Sequence, residues 1–183
     1  MLANDFLKGT HVALVPLGNE DLPVLTKWHQ DVDFLRALDA VPAFPRSERQ
    51  IADWLEQSNR SNTTYTFGIR ANETNELVGY VELDGIMWSN RVSGVSIAIA
   101  HNQNRRKGYG AEALNLVLRF AFHELNLHRV QLTVFGYNTS AIALYEKVGF
   151  QKEGAYREFI DRDGKNMICI FTVCCDTSGL TFM

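Results

Sequence analysis

Residues 111–126 constrain this chain more than any other stretch. Leu114, Val117, Leu118, Ala121, Phe122 and Leu125 recur at i, i+3, i+4, i+7, i+8 and i+11, an apolar stripe along one side of a helix. Two runs that read as strands flank it. Residues 92–100, VSGVSIAIA, alternate Val95, Ile97 and Ile99 with small side chains. Residues 129–135, RVQLTVF, are rich in strand formers. Strand, one-faced helix and strand together suit a crossover, with both strands in one sheet beneath the helix.

The remaining segments extend that sheet. Residues 11–17 read as an opening strand, followed by a helix capped by Asn19 or Asp21 with Pro23 in its first turn. Residues 31–45 show no period and read as an irregular link carrying Asp31, Asp33, Asp39, Pro42 and Pro45. Ser47 caps a second helix over 47–56. Residues 64–70 and 77–84 predict two more strands, and 138–148 a short helix stopped by Gly149. Residues 150–160 and 166–174 predict a closing hairpin turned at Asp163-Gly164. The expected architecture is a single α/β (α+β mixed) domain over 1–183, with a mixed, mostly antiparallel sheet and helices on both faces.

Composition narrows the partners. A chain of 183 residues, 46% of them hydrophobic, can bury a core without disulfide or metal. Its 18 basic and 21 acidic residues leave a net charge of -3, which argues against a nucleic-acid partner but not against a local anion site. Cys169, Cys174 and Cys175 form neither a paired framework nor a metal-ligand spacing, so reduced thiols, no metal and a cytoplasmic setting are expected. No basic-then-apolar leader opens the chain and no apolar run reaches membrane-spanning length, so no membrane association is expected.

The loop HNQNRRKGYGAEAL, residues 101–114, lies between a strand and the strongest helix. Gly108 and Gly110 permit a tight backbone path, and the first helical turn presents amides without intrahelical partners. Arg105, Arg106 and Lys107 add positive charge, so a phosphate or pyrophosphate is the natural guest. It is not a P-loop, since the lysine precedes the glycines, and a dinucleotide fingerprint would need glycine at Ala113. Further on, Asn138 follows a strand with an amide that can both donate and accept, and Tyr145 lies seven residues later on the next helix.

Together these segments resemble the GNAT superfamily of N-acetyltransferases, over about residues 9–173. Its motif Gln/Arg-x-x-Gly-x-Gly/Ala is met by Arg105-Arg106-Lys107-Gly108-Tyr109-Gly110. Its later motif, Asn and then a helix ending Tyr-x-Lys-x-Gly-Phe, is met by Asn138, Tyr145, Lys147, Gly149 and Phe150. NTSAIALYEKVGF followed by QKEGAYRE is most similar to the branch holding ribosomal-protein N-terminal and spermidine acetyltransferases. The resemblance implies a twisted sheet with one splayed strand pair and acetyl-CoA as co-substrate. It implies pantetheine contacts at Ile97, Ile99, Asn138 and Ser140, a pyrophosphate on residues 105–110, and Tyr145 facing the sulfur as general acid.

The implied reaction is acetyl transfer to a primary amine, with the backbone N–H of Ile99 bonding the developing oxyanion. An N-terminal amine of a peptide or protein is the first acceptor; a polyamine or another small amine such as an aminoglycoside is the alternative. Asp31, Asp33 and Asp39 suit a cationic amine. Many relatives carry an acidic residue where this chain has Gly94-Val95-Ser96-Ile97. Glu82, then Asp84, replaces it as candidate base, with a water relay as the other route; His29 and His101 rank below them. The missing carboxylate also admits a non-catalytic acyl-CoA-binding protein. Monomer and homodimer both stand.

Overall fold

The computed structural model describes residues 6–100 and 107–176. Its strands are β1 (Val12–Val15), β2 (Tyr65–Ala71), β3 (Leu77–Met87), β4 (Val92–Ile99), β5 (Arg129–Phe135), β6 (Gln151–Arg162) and β7 (Lys165–Cys175). They form one sheet in the order β1-β2-β3-β4-β5-β7-β6. Every neighbouring pair is antiparallel except β4 and β5, which run parallel. The helices are α1 (Leu22–Trp28), α2 (Val32–Leu38), α3 (Glu48–Arg60), α4 (Tyr109–Arg119) and α5 (Thr139–Val148).

Strand alternation divides the core between the two faces of the sheet. Val81, Leu83 and Val95 join Leu114, Val117 and Leu118 of α4 in the larger apolar cluster. Tyr80, Ala98 and Ala100 join Leu25 and Trp28 of α1 and Ile51 and Leu55 of α3 in a second cluster. Helices therefore cover both faces, as the sequence predicts. Leu114 and Val117 are fully buried, each stabilising the fold by roughly 1.5–3 kcal/mol relative to exposure.

Local rules account for most element ends. Ser47 caps α3 reciprocally: its hydroxyl accepts from the Gln50 N–H at 3.4 Å, and Gln50 Oε1 accepts from the Ser47 N–H at 2.9 Å. Asp163 and Gly164 both take positive φ, 55° and 69°, as a two-residue hairpin turn requires.

Three sequence expectations change. Residues 31–45 are not irregular throughout, because Asp31 Oδ1 accepts from the Asp33 and Phe34 amides and starts α2. Neither Asn19 nor Asp21 caps α1 by side chain; the Asp21 carboxylate instead accepts from the Gly18 N–H and pairs with Arg70 at 2.5 Å. The stripe helix is regular only to Arg119 and then widens into a π-turn over Phe120–Glu124, with the Leu125 N–H reaching the Phe120 carbonyl. The Phe120 ring at this turn packs edge-on against Tyr65 and Phe67.

Candidate active site

The parallel pair β4–β5 is joined only at Val92–Gly94 against Arg129–Gln131. Beyond Gly94 the two strands part. β4 stays paired with β3 as far as Ile99, while β5 stays paired with β7 as far as Phe135. The Ala100 N–H donates to the Val78 carbonyl, and antiparallel ladders alternate. Ala98 and Ser96 therefore also point their backbone groups at β3, and Ile97 and Ile99 turn theirs into the wedge. Buried backbone groups of this kind need a partner, so the open edge is built for a ligand that both donates and accepts along its length.

At one mouth of the wedge stands the N-terminus of α4. Gly108 has φ +84°, a conformation costly for any residue with a Cβ, and an added Cβ would meet nothing within 4 Å. The backbone conformation, rather than crowding, explains this glycine. Gly110 is small for a different reason: its Cβ would come 3.1 Å from Leu144 of α5. The first intrahelical bond runs from the Glu112 N–H to the Gly108 carbonyl, so the Tyr109, Gly110 and Ala111 amides precede it unpartnered by the helix. Glu112, the acidic residue of this turn, is occupied elsewhere: its carboxylate accepts from the Thr10, His11 and Val12 amides at 2.7–2.8 Å. Lys107 lies with its Nζ 5.8 Å from the Tyr109 ring; Arg105, Arg106 and His101 lie outside the described residues.

α5 forms the facing wall. Asn138 Oδ1 accepts from the Ala141 N–H at 3.2 Å and the Ser140 hydroxyl at 3.0 Å, capping the helix. The acceptor end of that amide is thereby taken. Asn138 can offer a ligand only its Nδ2 donors, not the two-way recognition expected from sequence. Tyr145 is buried edge-on against Phe150, and burial pushes its phenol up to about 12. Its hydroxyl is a donor throughout the physiological range.

These residues line a single cavity of about 820 Å³, including Ile97, Ile99, Gly108, Tyr109, Gly110, Asn138, Ser140 and Tyr145. Ala98, Lys147 and, on the opposite side, Phe34, Ala37 and Leu38 of α2 also line it. Ile97 and Ile99 belong to the α4 face of the sheet and Ala98 to the α1–α3 face, so the cavity passes through the wedge from one face to the other. An unpaired strand edge, an anion nest and a donor amide fit the pantetheine and pyrophosphate of a coenzyme A thioester.

Comparison with known proteins agrees with this geometry. Residues 11–151 match the model of the acetyltransferase (GNAT) domain. The chain belongs to the GNAT acetyltransferase family. It is an acetyltransferase. The chain is 30% identical to the SPbeta prophage-derived N-acetyltransferase YokL of Bacillus subtilis, covering 89% of each. It is 29% identical to a spermidine N(1)-acetyltransferase of Escherichia coli, covering 87% of this chain and 86% of that protein. The fold superposes on spermidine N-acetyltransferase from Vibrio cholerae, solved with CoA and spermine, at a TM-score of 0.82 with 23% identity, covering 91% and 96%.

In this acetyltransferase the α2 wall is the part that sequence reading missed. Its signal was present: Asp31 in capping position, then Phe34, Leu35 and Leu38 at helical spacing. The nearby prolines obscured it. Asp31 and Asp39, expected to attract a cation, each also have a local structural task, since Asp39 Oδ1 accepts from the Ala40 N–H at 2.6 Å.

The candidate bases separate. Glu82 does not line the cavity; it sits opposite Ser96 across β3–β4, on the same strand face as Tyr80. The Thr66 hydroxyl donates to Glu82 Oε2 at 2.5 Å, and Thr66 is in turn 2.5 Å from the Ser58 hydroxyl of α3. Burial raises the Glu82 carboxyl, the Thr66 bond opposes that, and the Asp84 charge adds to it. Asp84 is itself raised by burial. His29 is buried: Nδ1 bonds the Leu25 carbonyl at 2.8 Å, and Nε2 lies 3.3 Å from the Tyr80 hydroxyl. Both ring nitrogens are engaged and burial lowers its pKa, so it closes α1 rather than serving a substrate. Among the described residues no His, Cys, Asp or Glu cluster can hold a metal, and no helix is long and apolar enough to cross a membrane.

Proposed function

We propose that the acceptor is a polyamine such as spermidine, acetylated on a primary amine by direct attack within a ternary complex. The observation that carries this reading is the passage of one cavity through the β4–β5 wedge. A cofactor arm on the α4–α5 side and an amine under α2 can meet there without leaving the site. The spermidine N(1)-acetyltransferase relative, alike over most of both chains, supports a polyamine over the peptide N-terminus that the sequence placed first. Acidic Asp31, Asp33 and Asp39 on and around α2 suit a cation.

The residues then divide the work. Glu82, fixed by Thr66, takes the proton of the incoming ammonium through a water, leaving a lone pair on nitrogen. The Ile99 N–H bonds the carbonyl oxygen as its charge develops. Tyr145 donates to the sulfur as the C–S bond breaks and the N–C bond forms. The net reaction releases an amide, a thiol and one proton. Asn138 Nδ2, Ser140 and the amides of residues 109–111 hold the coenzyme, with Lys107, Arg105 and Arg106 supplying charge. The free thiols at Cys169, Cys174 and Cys175 support a cytoplasmic setting.

The test is thiol release from acetyl-CoA with a panel of spermidine, spermine, peptides with free N-termini and an aminoglycoside. Preferred turnover of the polyamines is expected. Preferred turnover of peptides would restore the first sequence reading, and binding of acetyl-CoA with no release for any amine would leave a carrier without catalysis.

A further inference from the structure

The α2 helix has seven residues and buries only Leu35 fully. Isolated helices of this length are unstable in water, so something outside α2 must hold its place. Phe34, Ala37 and Leu38 nonetheless form the acceptor wall of the cavity. Carbonyls in its last turn and just beyond it lack helical partners.

Arg162, at the tip of β6, supplies them. One guanidinium nitrogen donates to the Arg36 carbonyl at 2.5 Å, and the other to the Asp39 carbonyl at 2.5 Å and the Val41 carbonyl at 3.3 Å. The first nitrogen also donates to the Tyr137 hydroxyl at 2.8 Å, and that hydroxyl donates to the same Arg36 carbonyl at 2.9 Å. The guanidinium carbon lies 5.3 Å from the centre of the Phe135 ring. A cation placed on carbonyls at a helix C-terminus is favourable, and only a planar fork reaches several of them at once. Tyr137 immediately precedes Asn138, the cap of the cofactor-binding helix.

We propose that Arg162 is the positioning residue of the acceptor site. It sets α2 over the acetyl end of the cavity and, through Tyr137, ties that wall to the α5 wall. This rests on the acceptor lying beneath α2, as proposed above. Arg162 touches neither substrate; its effect passes through the backbone of residues 36–41.

The experiment compares Arg162→Gln, Arg162→Lys and Tyr137→Phe with Asp163→Asn, which removes only the exposed ion pair to Arg36. Spermidine KM, kcat, acetyl-CoA affinity and Tm are measured for each, with hydrogen exchange of amides 32–38. Arg162→Gln is expected to raise spermidine KM about tenfold, equivalent to about 1.4 kcal/mol, and to speed α2 exchange, with acetyl-CoA affinity and Tm kept. Arg162→Lys should fail to rescue, Tyr137→Phe should show a smaller effect of the same kind, and Asp163→Asn should match wild type. Unchanged spermidine KM in Arg162→Gln, or joint loss of acetyl-CoA affinity and Tm, would overturn the assignment. If the wild type releases no thiol with any amine, the functional reading fails instead. Exchange at 32–38 then decides the clamp alone, and no change on Arg162→Gln would reject it.

Discussion

The two walls of the cavity are built by different physics. On the cofactor side, α4 packs Leu114 and Val117 fully into the main core, and its N-terminus is shaped by one positive-φ glycine and its own amides. On the acceptor side, α2 buries Leu35 and is held at its far end by an arginine more than a hundred residues away in sequence. One wall is fixed by local rules and a deep apolar face. The other combines a shallower apolar contact, through Phe34 and Leu38, with a few long-range polar bonds. The weaker wall can therefore move without disturbing the stronger one.

The sharpest way to break the comparison is by stability. Leu114→Ala should cost about 2–5 kcal/mol of global stability, read as a fall in Tm or in the denaturant midpoint. Leu35→Ala should lower Tm much less, because α2 can open locally, yet raise the spermidine KM. Equal Tm losses would mean that both walls belong to one cooperative unit. Next in size, Tyr145→Phe should lower kcat about 100-fold, at the lower end of general-acid effects, while acetyl-CoA affinity measured by calorimetry is kept. Wild-type kcat in that variant would remove Tyr145 from the chemistry.

Gly108→Ala forces a Cβ into a left-handed conformation at a cost of about 1–2 kcal/mol. Weaker acetyl-CoA binding with unchanged spermidine KM at saturating acetyl-CoA is expected. The smallest effect concerns pH. As the proposed base, Glu82 must be ionised to accept a proton, so activity should rise with pH through its elevated pKa. Thr66→Val removes the bond that favours the carboxylate, so the acid limb of kcat/KM should move to higher pH. A shift to lower pH, or none, would separate Thr66 from Glu82.

The same division explains what the sequence made legible. The strands, α4, α5 and the hairpin turn follow from apolar period, caps and Asp-Gly chemistry, all of which act within a few residues. Tyr145, Ser140 and Gly110 could be placed in one cavity because each sits on such an element. Glu82 could be assigned to a strand face, but its partners Thr66 and Ser58 depend on how β2 and α3 pack. The two-way role expected for Asn138 failed because its oxygen caps α5, a choice visible only in the folded helix. The acceptor wall was the least legible, since Arg162 finds the α2 carbonyls only once the sheet has brought β6 beside Tyr137.

The most direct measurement is an initial-rate study of thiol release with acetyl-CoA and spermidine both varied. A cavity that holds both substrates through the wedge gives intersecting reciprocal plots. Parallel lines, with an acetylated enzyme trapped in the absence of amine, would contradict direct transfer across it.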